Sequence, residues 1–285
     1  MGFPKIAILI LAHKNQEQLM RLVNHLKTFF SVYVHIDRKS KIEINNETNV
    51  YSVKKYKVYW GSYNQILAIR ELMKIASSKQ HERYILISGQ DLPIMSNQEI
   101  VRFFDDNANI YLHGSKLPRN DWKHKGGFER MQLYYLYWRR EKMNNVVLKL
   151  MEKIEGMVHK IQHHFKLYRK IPNNLYGGWE WFNLTHDAVV VCLNKMYQAR
   201  FIRLFKYTMH ANEIIIQSIL YNSNIASLCI NDSLRYVDLN YHGEHPNIIT
   251  IRDLETVKSS GNIFARKFDN KVDSEVIDKI YDRIN

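Results

Sequence analysis

Close to its start the chain runs Ile6-Ala7-Ile8-Leu9-Ile10-Leu11-Ala12 and then turns polar at His13. These seven apolar residues fall far short of the ~20 needed to cross a bilayer. The run also lies too near the start, without a basic leader or small-residue cleavage site, to be a secretory signal. Its length and isoleucine content predict a buried strand over 5–12. Outward from it, residues 16–29 place Leu19, Leu22, Val23 and Leu26 at helical spacing. Residues 32–36 predict a second strand ending at His35-Ile36-Asp37, and 56–60 a short third one. A helix over 63–75 carries Ile66, Ile69, Leu72 and Ile75, and a fourth strand over 84–88 closes in Gly89-Gln90-Asp91. Ser96 with Glu99 three residues on predicts a capping box. This alternation predicts an α/β fold with a mostly parallel central sheet flanked by helices. Ligands of such sheets bind beyond the carboxyl ends of the strands. His13, Asp37, Gly61, Ser62, Gln90 and Asp91 fall there.

The middle of the chain has another rhythm. Val147, Met151, Ile154, Val158, Ile161 and Phe165 recur in alternating steps of four and three, which predicts one long helix over 139–170. Nine Lys and Arg against three Glu give that stretch a net charge of +6. It reads either as a surface helix with a solvated basic face or as a helix lying on anionic lipid. Beyond Pro172 come an apolar run over 188–193 and a helical pattern over 212–220 with Ile215, Ile216 and Leu220 at core spacing. A loop-rich tail ends in a polar helix over 274–284.

With 41 Lys and Arg against 28 Asp and Glu, the 285 residues carry a formal charge of +13. Nucleic acid, an anionic membrane surface and phosphate-bearing substrates would all be attracted. Gly and Pro together number 16, which excludes collagen-like and Pro/Gly-rich disordered classes. The two cysteines, Cys192 and Cys229, allow one disulfide, but two free thiols in a reducing cytoplasm is the simpler expectation. No Asp-x-Asp, Gly-x-Gly-x-x-Gly, Walker loop, Gly-x-Ser-x-Gly, Cys-x-x-Cys or His-Glu-x-x-His occurs, which argues against dinucleotide oxidoreductases, P-loop NTPases, esterases and zinc hydrolases. His163 and His164 are adjacent, so on a helix they diverge and make a poor metal pair.

Three segments stand out chemically. Ser88-Gly89-Gln90-Asp91-Leu92-Pro93-Ile94 is a strand end followed by a polar turn. Tyr176-Gly177-Gly178-Trp179-Glu180-Trp181-Phe182 sets aromatics around one carboxylate. It suits a sugar ring, or else it is a core Trp pair beside a glycine turn. Phe264-Ala265-Arg266-Lys267-Phe268-Asp269 puts two cations between aromatics, fit for a diphosphate or for a solvated basic turn.

These segments, in this order, resemble the core-2/I-branching N-acetylglucosaminyltransferases and the peptide O-xylosyltransferases. Further marks are Ile8-Leu9-Ile10-Leu11-Ala12-His13, His35-Ile36-Asp37, Trp60-Gly61-Ser62, Trp181-Phe182-Asn183-Leu184-Thr185 and Ala211-Asn212-Glu213. The resemblance covers nearly the whole chain. It implies a GT-A type nucleotide-sugar fold in a single domain, with a nucleotide-binding half over 1–110 and an acceptor-binding half over 111–285. It implies inverting transfer of a sugar, N-acetylglucosamine or xylose, from a UDP-sugar to a glycan hydroxyl, without a metal or other cofactor. Carried over, Asp37 sits at the uridine, Glu213 is the catalytic base and Lys267 holds the diphosphate beside Arg266. His13, Gly61 and Asp91 line the donor cleft, while Glu180, Trp181 and the 110–135 segment face the acceptor. Arg252 and His245 are candidates for a second phosphate-binding residue. Animal members are membrane-anchored and disulfide-bonded, so this chain looks like a bacterial, cytoplasmic relative, peripheral on the inner membrane face and acting on a growing or lipid-linked glycan.

The chemistry agrees with that assignment. An in-line displacement needs one carboxylate to take the acceptor proton, unlike the pair used by most glycosidases. It also needs fixed cations where the leaving diphosphate gains charge. At the start of an apolar-faced helix, burial would raise the pKa of Glu213 and the helix N-terminus would lower it. Two rival readings are a glycan-binding module that has lost catalysis and a basic nucleic-acid binder. Glu213 and Lys267 speak against the first, and the missing zinc and RNP-type motifs against the second.

Overall fold

A computed structural model describes residues 4–135, 145–239 and 246–285. His245 and residues 139–144 of the basic stretch lie outside them. The strands are β1 (Ile6–Ala12), β2 (Ser31–Ile36), β3 (Val50–Val53), β4 (Arg83–Ser88), β5 (Asp91–Pro93), β6 (Ile110–Leu112), β7 (Ser115–Lys116), β8 (Tyr176–Gly177), β9 (Phe182–Thr185), β10 (Cys229–Ile230), β11 (Arg235–Val237) and β12 (Phe264–Arg266). The α-helices are α1 (Gln16–Leu26), α2 (Tyr63–Ser77), α3 (Asn97–Phe104), α4 (Lys123–Gly126), α5 (Phe128–Gln132), α6 (Asn145–His164), α7 (His186–Met196), α8 (Ala199–Ile202), α9 (Ile215–Leu220), α10 (Leu254–Ser259) and α11 (Glu275–Ile284).

Seven strands form the central sheet in the order β10-β6-β9-β4-β1-β2-β3. Its β3-β2-β1-β4 part is parallel, β9 runs antiparallel to both β4 and β6, and β10 is parallel to β6, so the sheet is mixed and largely parallel. Residues on one face alternate with those on the other, and β1 feeds two cores. Ile8 and Ile10 pack with Leu19, Leu22 and Leu26 of α1, while Ala7 and Leu9 pack with Ile66, Ile69 and Leu72 of α2. A strand covered on both faces needs no polar alternation, which is why 6–12 reads as one apolar run. In a second sheet, β12 pairs antiparallel with β5 and parallel with β11, setting Arg266 opposite Asp91.

Several expectations are met and several are corrected. The Ser96–Glu99 capping box is present at α3, and both cysteine thiols are free. The third strand is Val50–Val53, not 56–60. Pairing with β2 ends at His35 opposite Val53. Past that point the amides of Tyr56 and Val58 donate to His35 Nε2 and Asp37 Oδ1, each at 3.2 Å, instead of to a ladder. The basic helix ends at His164, where Leu167 N–H returns to the Gln162 carbonyl and Lys166 takes a left-handed φ of 52°. The 212–220 pattern is split into a 3₁₀ turn, Ala211–Glu213, and α9. The terminal helix is amphipathic rather than polar, burying Val276, Ile277, Ile280, Tyr281 and Ile284. Among the described residues, no helix is long and apolar enough to cross a membrane.

Candidate active site

A cleft of about 480 Å³ opens at the carboxyl ends of β1, β2 and β4, where parallel strands leave room for a ligand. His13 and Lys14 follow β1 directly into it. Asp37 follows β2 and is nearly buried. Its Oδ1 accepts the N–H groups of Lys39 at 2.9 Å and Val58 at 3.2 Å, and Lys39 Nζ lies 3.4 Å from Oδ2. The neighbouring His35 also lines the cleft. Burial pushes its pKa down to about 4, so it is neutral, and its Nε2 takes the Tyr56 N–H.

The cationic wall is made by the second sheet. Arg266 lies over the Trp181 ring at 4.2 Å, and its Nε stands 3.5 Å from Asp91 Oδ1. Lys267 is half-buried, and burial together with the charges of Lys14 and Arg266 lowers its pKa. Lys14 itself bonds Asp269 at 2.8 Å. Both Arg266 and Lys267 line the cleft.

Two residues expected on the donor wall stand behind it. Asp91 is wholly buried and accepts both the N–H of Ser88, at 2.9 Å, and its hydroxyl, at 2.7 Å. It supports Arg266 from beneath. Gly61 has a φ of +69°, and a Cβ there would meet His210 Nδ1 at 2.4 Å. Its N–H donates to Gln65 Oε1 and its carbonyl accepts from His210, so it sets Trp60 and Gln65 into the cleft rather than facing it. Trp181, expected to face the acceptor, lines the cleft but is largely buried, with Arg266 lying over its ring; Trp179, stacked on His113 at 4.9 Å, also lines the cleft and is the more open indole. Arg252 is exposed and is not among the residues lining the cleft.

Two carboxylates enter from the other side. Glu213 closes the 3₁₀ turn after His210, and its Oε2 accepts from Arg130 Nη1 at 2.7 Å. Burial raises its pKa, against the pull of Arg130. Glu180 Oε2 accepts from Gln65 Nε2 at 2.6 Å and Asn212 Nδ2 at 2.9 Å. Burial lifts its pKa to about 7, opposed chiefly by Arg266. The Gly177-Gly178 turn makes this wall possible. Gly178 N–H donates to the Glu213 carbonyl at 2.9 Å, and a Cβ on Gly178 would lie 1.8 Å from the His113 carbonyl oxygen. Arg130 is braced in turn against Trp122, whose ring it covers at 3.8 Å. Arg130 and Gln65 lie in no quoted motif, and Asn212, though within the Ala211-Asn212-Glu213 mark, carries no expected role of its own; the contacts of all three are found only in the structure. The described residues contain no group of three or more His, Cys, Asp or Glu arranged to hold a metal, and His163 instead meets Tyr168.

The sequence profile of the family described as "Branch: Core-2/I-Branching enzyme" matches residues 6–259. The match takes in β1–β4, Glu180 and Glu213 and stops before β12, so Arg266 and Lys267 fall beyond it. No curated protein matches the chain. With most of its length aligned to that profile, the chain belongs to the Core-2/I-branching enzyme family and is a glycosyltransferase.

Proposed function

We propose that this cleft carries out metal-independent, inverting transfer of a sugar from a UDP-sugar to a glycan hydroxyl, on a GT-A type fold. The observation that carries the reading is the opposition within one cavity of a partly buried carboxylate, Glu213, and a fixed cation pair, Arg266 and Lys267. The donor's uracil and ribose would rest between His35 and Asp37, in a nucleotide-binding half over 1–110, with His13 beside the diphosphate. The acceptor would enter between Trp179, Glu180 and Glu213, in the half over 111–285. Glu213 Oε2 is committed to Arg130; Oε1 takes the acceptor proton. The freed oxygen attacks the anomeric carbon as the bond to the β-phosphate oxygen breaks. UDP leaves with that electron pair, and Lys267 and Arg266 hold its charge.

N-acetylglucosamine or xylose is the sugar the family resemblance favours, in the synthesis of a polysaccharide or lipid-linked saccharide. The test is a nucleotide-release screen over UDP-, GDP- and CMP-sugars in excess EDTA. Release of UDP alone, lost in Glu213→Gln, is expected. Release that stops with EDTA and returns with Mn²⁺ would overturn the metal-free mechanism. Donor binding without any turnover would point to the inactive glycan-binding alternative.

Glu180 is the second carboxylate to weigh, because its raised pKa of about 7 is that of a poised base. Two amide donors already occupy its Oε2, which suits an acceptor-positioning role. Activity in Glu180→Gln should therefore exceed that of Glu213→Gln.

A further inference from the structure

Helix α6 touches the rest of the chain along one side. Gln162 is buried there, accepting from the Tyr134 N–H at 2.7 Å and donating to the Tyr134 carbonyl at 3.1 Å. His159 meets the Tyr135 ring edge-on at 4.7 Å. With 3.6 residues per turn, Val146, Leu150, Ile154, Met157 and Ile161 fall in one band on another side, continued past the helix end by Phe165. Each is between 40% and 76% exposed. The sequence pattern alone would have placed Ile154, Ile161 and Phe165 against the body; the structure leaves them in the open. Lys149, Lys153 and Lys160, all exposed, line one edge of that band.

An apolar band edged by lysines fits one surface well. Acyl chains take the apolar side chains and anionic headgroups take the ammonium row. The chain's net charge of +13 adds to the attraction. A second copy packed antiparallel on the band would instead set one lysine row against the other. The segment that follows the helix is also tied to the Glu213 side of the cleft. Arg169 N–H donates to the carbonyl of Gln132 at the end of α5, and α5 carries the Arg130 that holds Glu213.

We infer that α6 seats the protein on an anionic lipid bilayer, apolar band in the acyl boundary and lysine row among the headgroups. This surface stands independently of the transfer chemistry; its corollary, an acceptor saccharide carried on lipid, rests on the function proposed above.

Flotation of the full chain with vesicles of phosphatidylcholine and phosphatidylglycerol, against phosphatidylcholine alone, tests it without any substrate. Binding to the anionic vesicles at low salt and release at high salt are expected. Three lysines near a charged surface together contribute a factor of about a hundred. The triple change Lys149→Glu, Lys153→Glu and Lys160→Glu should lose at least that much partitioning. Leu150→Ser, Met157→Ser and Ile161→Ser combined should lose binding even at low salt. UDP affinity, measured separately, should stay unchanged in both variants, which shows that they fold. Failure to float, or flotation that both variants retain, would overturn the inference. So would a wild-type dimer that the serine variant dissolves, since the band would then be covered by a second copy.

Discussion

On one wall of the cleft, His13 and Asp37 stand just past the ends of β1 and β2, and their positions follow from where two apolar runs stop. On the opposite wall, Glu213 is held by Arg130, 83 residues away, and its turn is pinned by a glycine against the carbonyl of His113. The first wall is a consequence of local periodicity and sheet topology. The second exists only once distant segments have packed. The proposed chemical groups follow the second pattern: Arg266 at the end of β12 and Lys267 just after it are placed by the pairing of β12 with the distant β5, and the proposed proton-taking group depends on a salt bridge that a single substitution removes.

The largest expected effect comes from the second wall. Glu213→Gln keeps the shape and removes the base, so kcat should fall by about 10²–10⁴-fold, as read by steady-state UDP release. On the cationic wall, Lys267→Ala should weaken UDP binding by about 1.5–3 kcal/mol, the range for a hydrogen bond to a charged group, as read by calorimetric titration. Equal damage to binding in both variants would break the division of labour between the walls.

Smaller effects sharpen it. A base works only when deprotonated, so activity is lost as pH falls through its pKa. Because burial raises that of Glu213 and Arg130 opposes the rise, Arg130→Gln should move the acid limb of kcat/KM to higher pH. The variant should therefore lose more activity at pH 6 than at pH 8. An unmoved limb would show that Arg130 does not set the protonation of Glu213. Glu180 has a folded pKa of about 7 against an ordinary 4.5. The folded state thus binds its proton more tightly than the unfolded chain does, a stabilisation complete at low pH and lost as pH rises through about 7. Glu180→Gln should raise Tm by a few degrees at pH 8 and leave it unchanged near pH 4.5, in scanning calorimetry.

What could be read in the sequence divides along the same line. β1, β2 and β4, the helices α1 and α2, and the Ser96 cap are local patterns, and they fall where periodicity puts them. The strand expected over 56–60 failed because alternating Tyr56, Val58 and Trp60 look like a pleat, yet their segment bonds the side chains of His35 and Asp37. The heptad-like stripe gave the helix but not which side of it is covered, since periodicity is silent about what packs against it. Trp181 shows the same limit: an aromatic beside a carboxylate reads either as a sugar platform or as a core indole, and the sequence does not tell that the pairing of β12 with β5 brings Arg266 over it while it still lines the cleft. Arg130 lies in the 110–135 segment expected to face the acceptor, but nothing singled it out within that segment, because its contact depends on a partner far along the chain.

In the proposed mechanism fixed cations hold the leaving diphosphate while a separate carboxylate takes the proton. UDP titration in excess EDTA, run on the wild type, Lys267→Ala and Glu213→Gln, tests it most directly. Tight binding without metal is expected, unchanged in Glu213→Gln and weakened roughly 10- to 150-fold in Lys267→Ala. Binding that vanishes with EDTA, or that Lys267→Ala leaves intact, would contradict it.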